Sequence, residues 1–240
     1  MLSIIVPAKN EEQYLPLLLD SIREQSYQDL EVIVADADSV DRTREVALER
    51  GCRVVEGGYP DEGRNNGAMH SSDKSDLYLF LDADVILPTP NYLEDCVREI
   101  NERGLDVASG LIRPIKTGSF FRDIAYEIFY WIHDFGIKSA SKGKNPLMAN
   151  VMFSKPEVHK KIGGFKAFEF GEDSKYVRDA VKEGFSFGVV NEKNKVYISP
   201  RRLAQKGFFR MLGVYIYFNA GQILFNKEFR RGESPKKYFD

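Results

Sequence analysis

Carboxylates follow directly on three apolar runs of this chain. Asp82 and Asp84 come after LYLFL (77–81), and Asp36, with Asp38 and Asp41 close behind, comes after EVIVA (31–35). Pro7-Ala8-Lys9-Asn10-Glu11-Glu12 follows the opening run LSIIV (2–6). Alternate residues of an extended segment point the same way, so Asp82 and Asp84 share a side. Two hard oxygen donors at that spacing suit Mg²⁺ or Mn²⁺, which keep other positions open for water and phosphate. Crowded carboxylates are costly unless a cation or a hydrogen-bond donor arrives. A later acidic pair, Glu172-Asp173, is suited either to proton transfer or to the first turn of a helix.

These groups must be carried by the elements around them. The run at 2–6, ended by Pro7, reads as a strand buried on both faces, as do 31–35 and 77–81. Asn10 is expected to cap a helix striped by Leu15, Leu18, Leu19 and Ile22, and Asp41 to start a second helix ending at Gly51. Arg53–Glu56 reads as a short strand broken by Gly57-Gly58. Tyr92–Arg103 reads as a helix stopped by Gly104. Strands alternating with helices predict an α/β protein with a parallel-rich mixed sheet covered on both faces. Ligands of such sheets bind at the carboxyl ends of the strands. No Walker loop and no GxGxxG follows any strand, so the ordinary mononucleotide and dinucleotide folds are disfavoured.

Composition narrows the class further. The chain has 240 residues, 43% hydrophobic and 29% charged, with a net charge of −2. That fits a folded protein and argues against disorder and against a basic nucleic-acid binder. Two cysteines and three histidines offer neither a disulfide framework nor a Cys- or His-rich metal centre. The opening MLSIIVPAKN reads as a strand rather than a leader, which sets a cytoplasmic location as the expectation. Charge is uneven: residues 193–237 hold eleven Lys/Arg against two Asp/Glu. Within them FFRMLGVYIYFNAGQILF (208–225) is apolar around most of a helix, yet short of a bilayer span. Flanked by Arg230, Arg231, Lys236 and Lys237, it suits a peripheral membrane contact, a core helix or a homo-oligomer contact.

Taken together, SIIVPAKNEE, EVIVADADSVDRT, Arg64-Asn65 with Gly67, LFLDADV and IGGF…GED resemble family 2 glycosyltransferases in order and spacing, over roughly residues 1–190. The resemblance implies a GT-A fold. Residues 1–110 would be the nucleotide-binding half, 111–190 the acceptor half, and 191–240 a basic, aromatic helical extension. It also implies an inverting transfer from a UDP- or GDP-sugar, with Mn²⁺ or Mg²⁺, to a glycan or lipid-linked acceptor. Residue by residue, Pro7, Ala8 and Glu11 would line the base and ribose pocket. Asp36 would accept a base N–H, and Arg64 would lie near the nucleotide. Asp82 would face the ribose or a metal-bound water, and Asp84 would ligate the cation. Asp173, beside Glu172, would be the general base. Ser199-Pro200-Arg201-Arg202 resembles a loop that folds over the diphosphate in lipid-modifying members. Asn150 and Trp131 are expected to contact sugar or acceptor.

Charge grows on the leaving diphosphate during such a transfer, and a cation at Asp84 with Arg201 or Arg202 would stabilise it. An acceptor hydroxyl gains from a carboxylate base, whereas a polyprenyl phosphate, already ionised, needs none. Glu172-Asp173 therefore favours a hydroxyl acceptor, with the polyprenyl-phosphate transferase as the alternative. A DxD phosphohydrolase would want its acidic pair on the first strand. A nucleotidyltransferase would want a Gly-rich basic first loop. A non-catalytic sugar- or membrane-binding module would be indifferent to Asp84.

Overall fold

In the computed structural model the three apolar runs lie side by side at the heart of a seven-stranded sheet. The structure describes residues 1–143, 145–148, 150–168 and 171–225, without the side chains of 219, 220 and 222–225. Arg230, Arg231, Lys236 and Lys237 lie outside the described residues.

The chain begins with β1 (Leu2–Ala8), α1 (Leu15–Arg23), β2 (Leu30–Asp36), α2 (Thr43–Glu49), β3 (Arg53–Glu56), α3 (Pro60–Met69) and β4 (Leu77–Leu81). It continues with β5 (Val85–Ile86), α4 (Tyr92–Arg103), β6 (Val107–Ser109), β7 (Ile112–Pro114), α5 (Phe120–Ala140), β8 (Val151–Ser154) and α6 (Pro156–Ile162). The last described elements are α7 (Glu172–Lys182), β9 (Phe187–Val189), β10 (Val196–Ile198), α8 (Arg201–Lys206) and α9 (Phe208–Phe225). The large sheet runs β3-β2-β1-β4-β8-β6-β9, and β5-β10-β7 form a small second sheet. Strands β3, β2, β1 and β4 pair in parallel, and β8 alone opposes its neighbours β4 and β6. This is the parallel-rich mixed sheet expected of a GT-A fold.

Alternation along the central strands divides the core. Leu2, Ile4 and Val6 of β1 and Leu77, Leu79 and Leu81 of β4 pack with α1, α2 and α4 on one face. Ile5, Tyr78 and Phe80 pack with α3, α6 and α7 on the other. Each fully buried Leu, Ile or Phe there contributes roughly 1.5–3 kcal/mol. Gly67 sets how closely α3 approaches β1, since a Cβ on it would sit 2.4 Å from Cγ2 of Ile5.

Pro7 does not end the first strand. Pairing of β1 with β4 stops at Ile5, while pairing with β2 continues to Ala8. At Pro7 the strand is therefore an edge on one side, where a missing N–H goes unnoticed. Asn10 does not cap α1, which begins at Leu15. Instead it adopts a left-handed φ of 55°, and its Oδ1 accepts from the amide of Val40. The loops after β1 and β2 are laced together. The amide of Glu11 donates to Thr43, that of Glu12 to Asp41, and that of Arg42 to Glu12. Asp41 thus ties one loop to the other.

Candidate active site

The carboxyl ends of β1, β2, β3 and β4 open on one cleft of about 710 Å³. Pro7, Ala8, Glu11, Asp36, Asp82, Asp84, Arg201 and Arg202 all line it. The sheet brings the first six together, because parallel neighbours in register end at one edge. The two arginines arrive by a different route. Strand β10 pairs antiparallel with β5, immediately after Asp84, and the Ser199 amide donates to the Asp84 carbonyl at 3.0 Å. Arg201 follows two residues later and turns back into the cleft.

Arg201 sits on the acids as a resident cation. Its Nη1 donates to Oε2 of Glu11 at 2.8 Å, its Nε lies 3.1 Å from Oδ2 of Asp84, and its guanidinium covers the Tyr14 ring at 4.8 Å. Asp84 is 7% exposed, and burial together with the charge of Asp82 pushes its carboxyl up to about 6, against the pull of Arg201 and Arg202. Asp36 is also buried, and its Oδ1 has no hydrogen-bond partner. A buried acceptor without a partner costs roughly 1–3 kcal/mol.

Asp82 plays a different part. Its Oδ1 accepts from Nη2 of Arg64 at 2.8 Å and its Oδ2 from Nδ2 of Asn150. Both of its oxygens thus accept from protein donors. Among the described residues no group of three or more His, Cys, Asp or Glu side chains is placed to hold a metal. A single carboxylate nonetheless fits Mg²⁺ or Mn²⁺ when diphosphate oxygens and water complete the shell.

Behind the cleft, Arg64 is buried and serves three acids. Nη1 donates to Oε1 of Glu172 at 3.1 Å and lies 3.5 Å from Oδ1 of Asp173, while the guanidinium packs 5.3 Å over Phe165. Glu172 and Asp173 open α7, where the helix dipole favours negative charge. Burial holds the Asp173 carboxyl well above the usual range, with Arg64 opposing and Glu172 reinforcing the rise. Arg64 therefore organises the acids rather than lining the cleft, and Asn150 acts on Asp82. Trp131 is not brought to the cleft. It stands exposed on α5, stacked 5.9 Å from Phe135.

Sequence reasoning missed part of the wall. Gly57, Gly58, Tyr59 and Glu62 line the cleft from the turn after β3. Gly57 donates its amide to the Asp36 carbonyl at 2.7 Å, and a Cβ on it would fall 2.5 Å from the Asp36 carbonyl carbon. The Gly57-Gly58 pair was the available signal. Tyr130 of α5 lies near enough to Asp84 and Arg202 to feel both charges, and burial raises its phenol.

Residues 3–171 match the sequence pattern of the family described as Glycosyl transferase family 2. The chain belongs to that family. Its GT-A fold recurs in solved structures too distant to show more than the fold. A Pyrobaculum calidifontis mannosyltransferase in complex with GDP-Man and Mn²⁺ superposes with a TM-score of 0.72 at 20% identity, over 98% of this chain and 65% of that one. Staphylococcus aureus TarS gives 0.62 at 20% identity, over 90% and 65%. Among curated relatives, the 4,4'-diaponeurosporenoate glycosyltransferase of Staphylococcus haemolyticus is 40% identical over 106 residues, 40% of this chain and 28% of the relative. That of Staphylococcus aureus is 31% identical over 109 residues, 43% and 29%. The matches thus span under a third of those relatives' length. In this family 2 glycosyltransferase the match ends at residue 171, so Asp173, Arg201 and Arg202 lie beyond it.

No described helix is long and apolar enough to cross a membrane. Helix α9 packs Phe208, Met211, Leu212 and Tyr215 against Tyr126, Phe129 and Tyr130 of α5. One side of the 208–225 segment is therefore core.

Proposed function

We propose that the chain transfers a sugar from a UDP- or GDP-sugar to a hydroxyl of a glycan or lipid-linked acceptor, with inversion and with Mn²⁺ or Mg²⁺. The observation that carries this reading is the convergence of Asp36, with its unpartnered oxygen, buried Asp84 and incoming Arg201 on one cleft. The similarity to diaponeurosporenoate glycosyltransferases supports an apolar, lipid-like acceptor.

In this reading Asp36 takes an N–H of the base, and Pro7 and Ala8 form the floor beneath the nucleoside. Asp84 holds the divalent cation, which supplies charge neutralisation at the diphosphate leaving group when bound. Arg201 exchanges Asp84 and Glu11 for diphosphate oxygens, and Arg202 joins it from the same turn. Asp82 stays with Arg64 and Asn150 and fixes the floor near the sugar. Asp173 takes the acceptor hydroxyl's proton as that oxygen bonds to the anomeric carbon and the carbon–diphosphate bond breaks on the opposite face. Its raised pKa makes it the stronger base. A phosphohydrolase reading leaves Asp36 and Arg201 without work.

Incubation with a panel of nucleotide sugars and Mn²⁺, read by chromatography of the released nucleotide, tests this. Slow donor hydrolysis confined to one or two nucleotide sugars is expected. Phosphate release from a simple phosphomonoester, with every nucleotide sugar intact, would overturn it. Peripheral contact with a cytoplasmic membrane face belongs to the same reading, since a lipid-like acceptor resides there.

A further inference from the structure

Helix α5 is apolar on two opposite sides, and only one is covered. Its inner side, with Tyr126, Phe129 and Ile137, is buried against α9 and neighbouring strands. Its outer side carries Phe120, Phe121, Ile124, Ile128, Trp131 and Phe135, all between 45 and 83% exposed. At 100° per residue these six fall within an arc of about 100°, and they extend about 22 Å along the axis. No described residue covers them. Single exposed apolar residues are ordinary, but an aromatic-rich row of six marks a contact surface.

The charges around the row select the partner. The charged residues exposed along this stretch are Lys116, Arg122, Lys138 and Lys142; Lys138 falls on the same arc past Phe135, Lys116 and Lys142 flank the helix ends, and Arg122 is on the opposite side. Each acid nearby has a partner, though Asp123 and Glu127 remain partly exposed. Asp123 accepts from Thr117, Glu127 pairs with Arg113, and buried Asp134 pairs with Lys195. Lys138 also reaches the exposed Glu192, a pair that salt and competing anions loosen. Segment 226–240 adds five basic residues against three acidic ones to the sequence. Trp and Phe on one face, with lysines at its end and the nearby acids paired, is the chemistry of a helix lying in the headgroup region of an anionic bilayer.

We infer that the outer face of α5 is this protein's membrane-docking surface, seating the aromatic row in an anionic lipid interface. The inference rests on a lipid-like acceptor only for its purpose; the surface itself stands on exposure and charge. It also gives Trp131 a role apart from the cleft.

Trp131 is the only tryptophan in the chain, so its emission reports on this face alone. The full chain is mixed with vesicles of phosphatidylcholine, with and without phosphatidylglycerol. A shift of emission to shorter wavelength, quenching by brominated acyl chains, and co-sedimentation are expected only with the anionic vesicles. The double variant Phe121→Glu/Phe135→Glu retains Trp131 and should bind at least about tenfold more weakly. Donor hydrolysis by that variant, unchanged from the parent, certifies its fold. Sedimentation without an emission shift, or no sedimentation at low salt, overturns the inference. So does an emission shift that follows protein concentration without vesicles, since a second copy then covers the row. If no nucleotide sugar is hydrolysed while the shift persists, the transferase reading fails and the docking surface stands.

Discussion

Arg64 faces Asp82, Glu172 and Asp173 from a buried position, so its removal is the sharpest test of how the acids are held. Arg64→Met keeps length and removes charge. Breaking a buried ion pair from one side costs about 3–5 kcal/mol, because the remaining charge is stranded. For a chain of this size that amounts to a fall in Tm of about 6–20 °C. The loss should depend on pH in a defined sense. The Asp173 carboxyl is already raised above its reference value of 3.8 by burial, with Arg64 the foremost group opposing the rise. A carboxyl whose folded pKa is raised favours the native state at pH below its unfolded value and loses that contribution as pH climbs through the folded one. Without Arg64 the native pKa rises further, so the deficit at pH 8 should exceed that at pH 5. Asp173→Asn added to Arg64→Met should recover part of the loss, since one stranded charge is gone. Calorimetry of the parent, the Arg64→Met and Asp173→Asn single variants and the double variant at both pH values reads all of this. A shift below about 2 °C at pH 8, or one that deepens on acidification, would refute the reasoning.

Other expectations follow from single contacts. Gly57→Ala drives a Cβ into the Asp36 backbone and should lower stability by about 1–3 kcal/mol while weakening nucleotide binding, both measurable by thermal shift. His159 is pushed down to about 4 by burial, from a reference of 6.5. The unfolded chain therefore gains a proton first, and up to about 3 kcal/mol of stability should drain as pH falls from 6.5 to 4. His159→Phe should flatten that slope in urea titrations. Arg201→Ala should raise the nucleotide-sugar KM and slow turnover, while leaving the fold intact by circular dichroism. Turnover on a hydroxyl acceptor should fall on the acidic side with an apparent pKa above the ordinary carboxylate range, and Asp173→Asn should abolish that limb in a pH–rate profile.

The strand tips were legible because a buried parallel strand is an unbroken apolar run, and the polar residue after it marks the ligand edge. Asp36, Asp82 and Asp84 needed nothing more. That Arg64 and Asn150 hold Asp82 was not legible, since they stand 18 and 68 residues away in the chain. Helix α3 escaped notice for a related reason. Its buried side is Asp61, Gly63, Arg64, Gly67 and Ala68, with no apolar stripe to reveal a period. Strands β5, β7 and β10 are two or three residues long, below the length at which alternation can be seen, yet they deliver Arg201. An apolar helix such as α5 does not announce which side its own fold will leave bare.

Binding of UDP and GDP by isothermal titration, with and without Mn²⁺, in the parent and in Asp84→Asn, goes most directly to the heart of the account. One of the two nucleotides should bind the parent far more tightly with the metal present, and Asp84→Asn should erase the difference. Equal binding with and without metal in both proteins, or binding of neither nucleotide, would contradict a cleft built to seat a cation-bridged diphosphate.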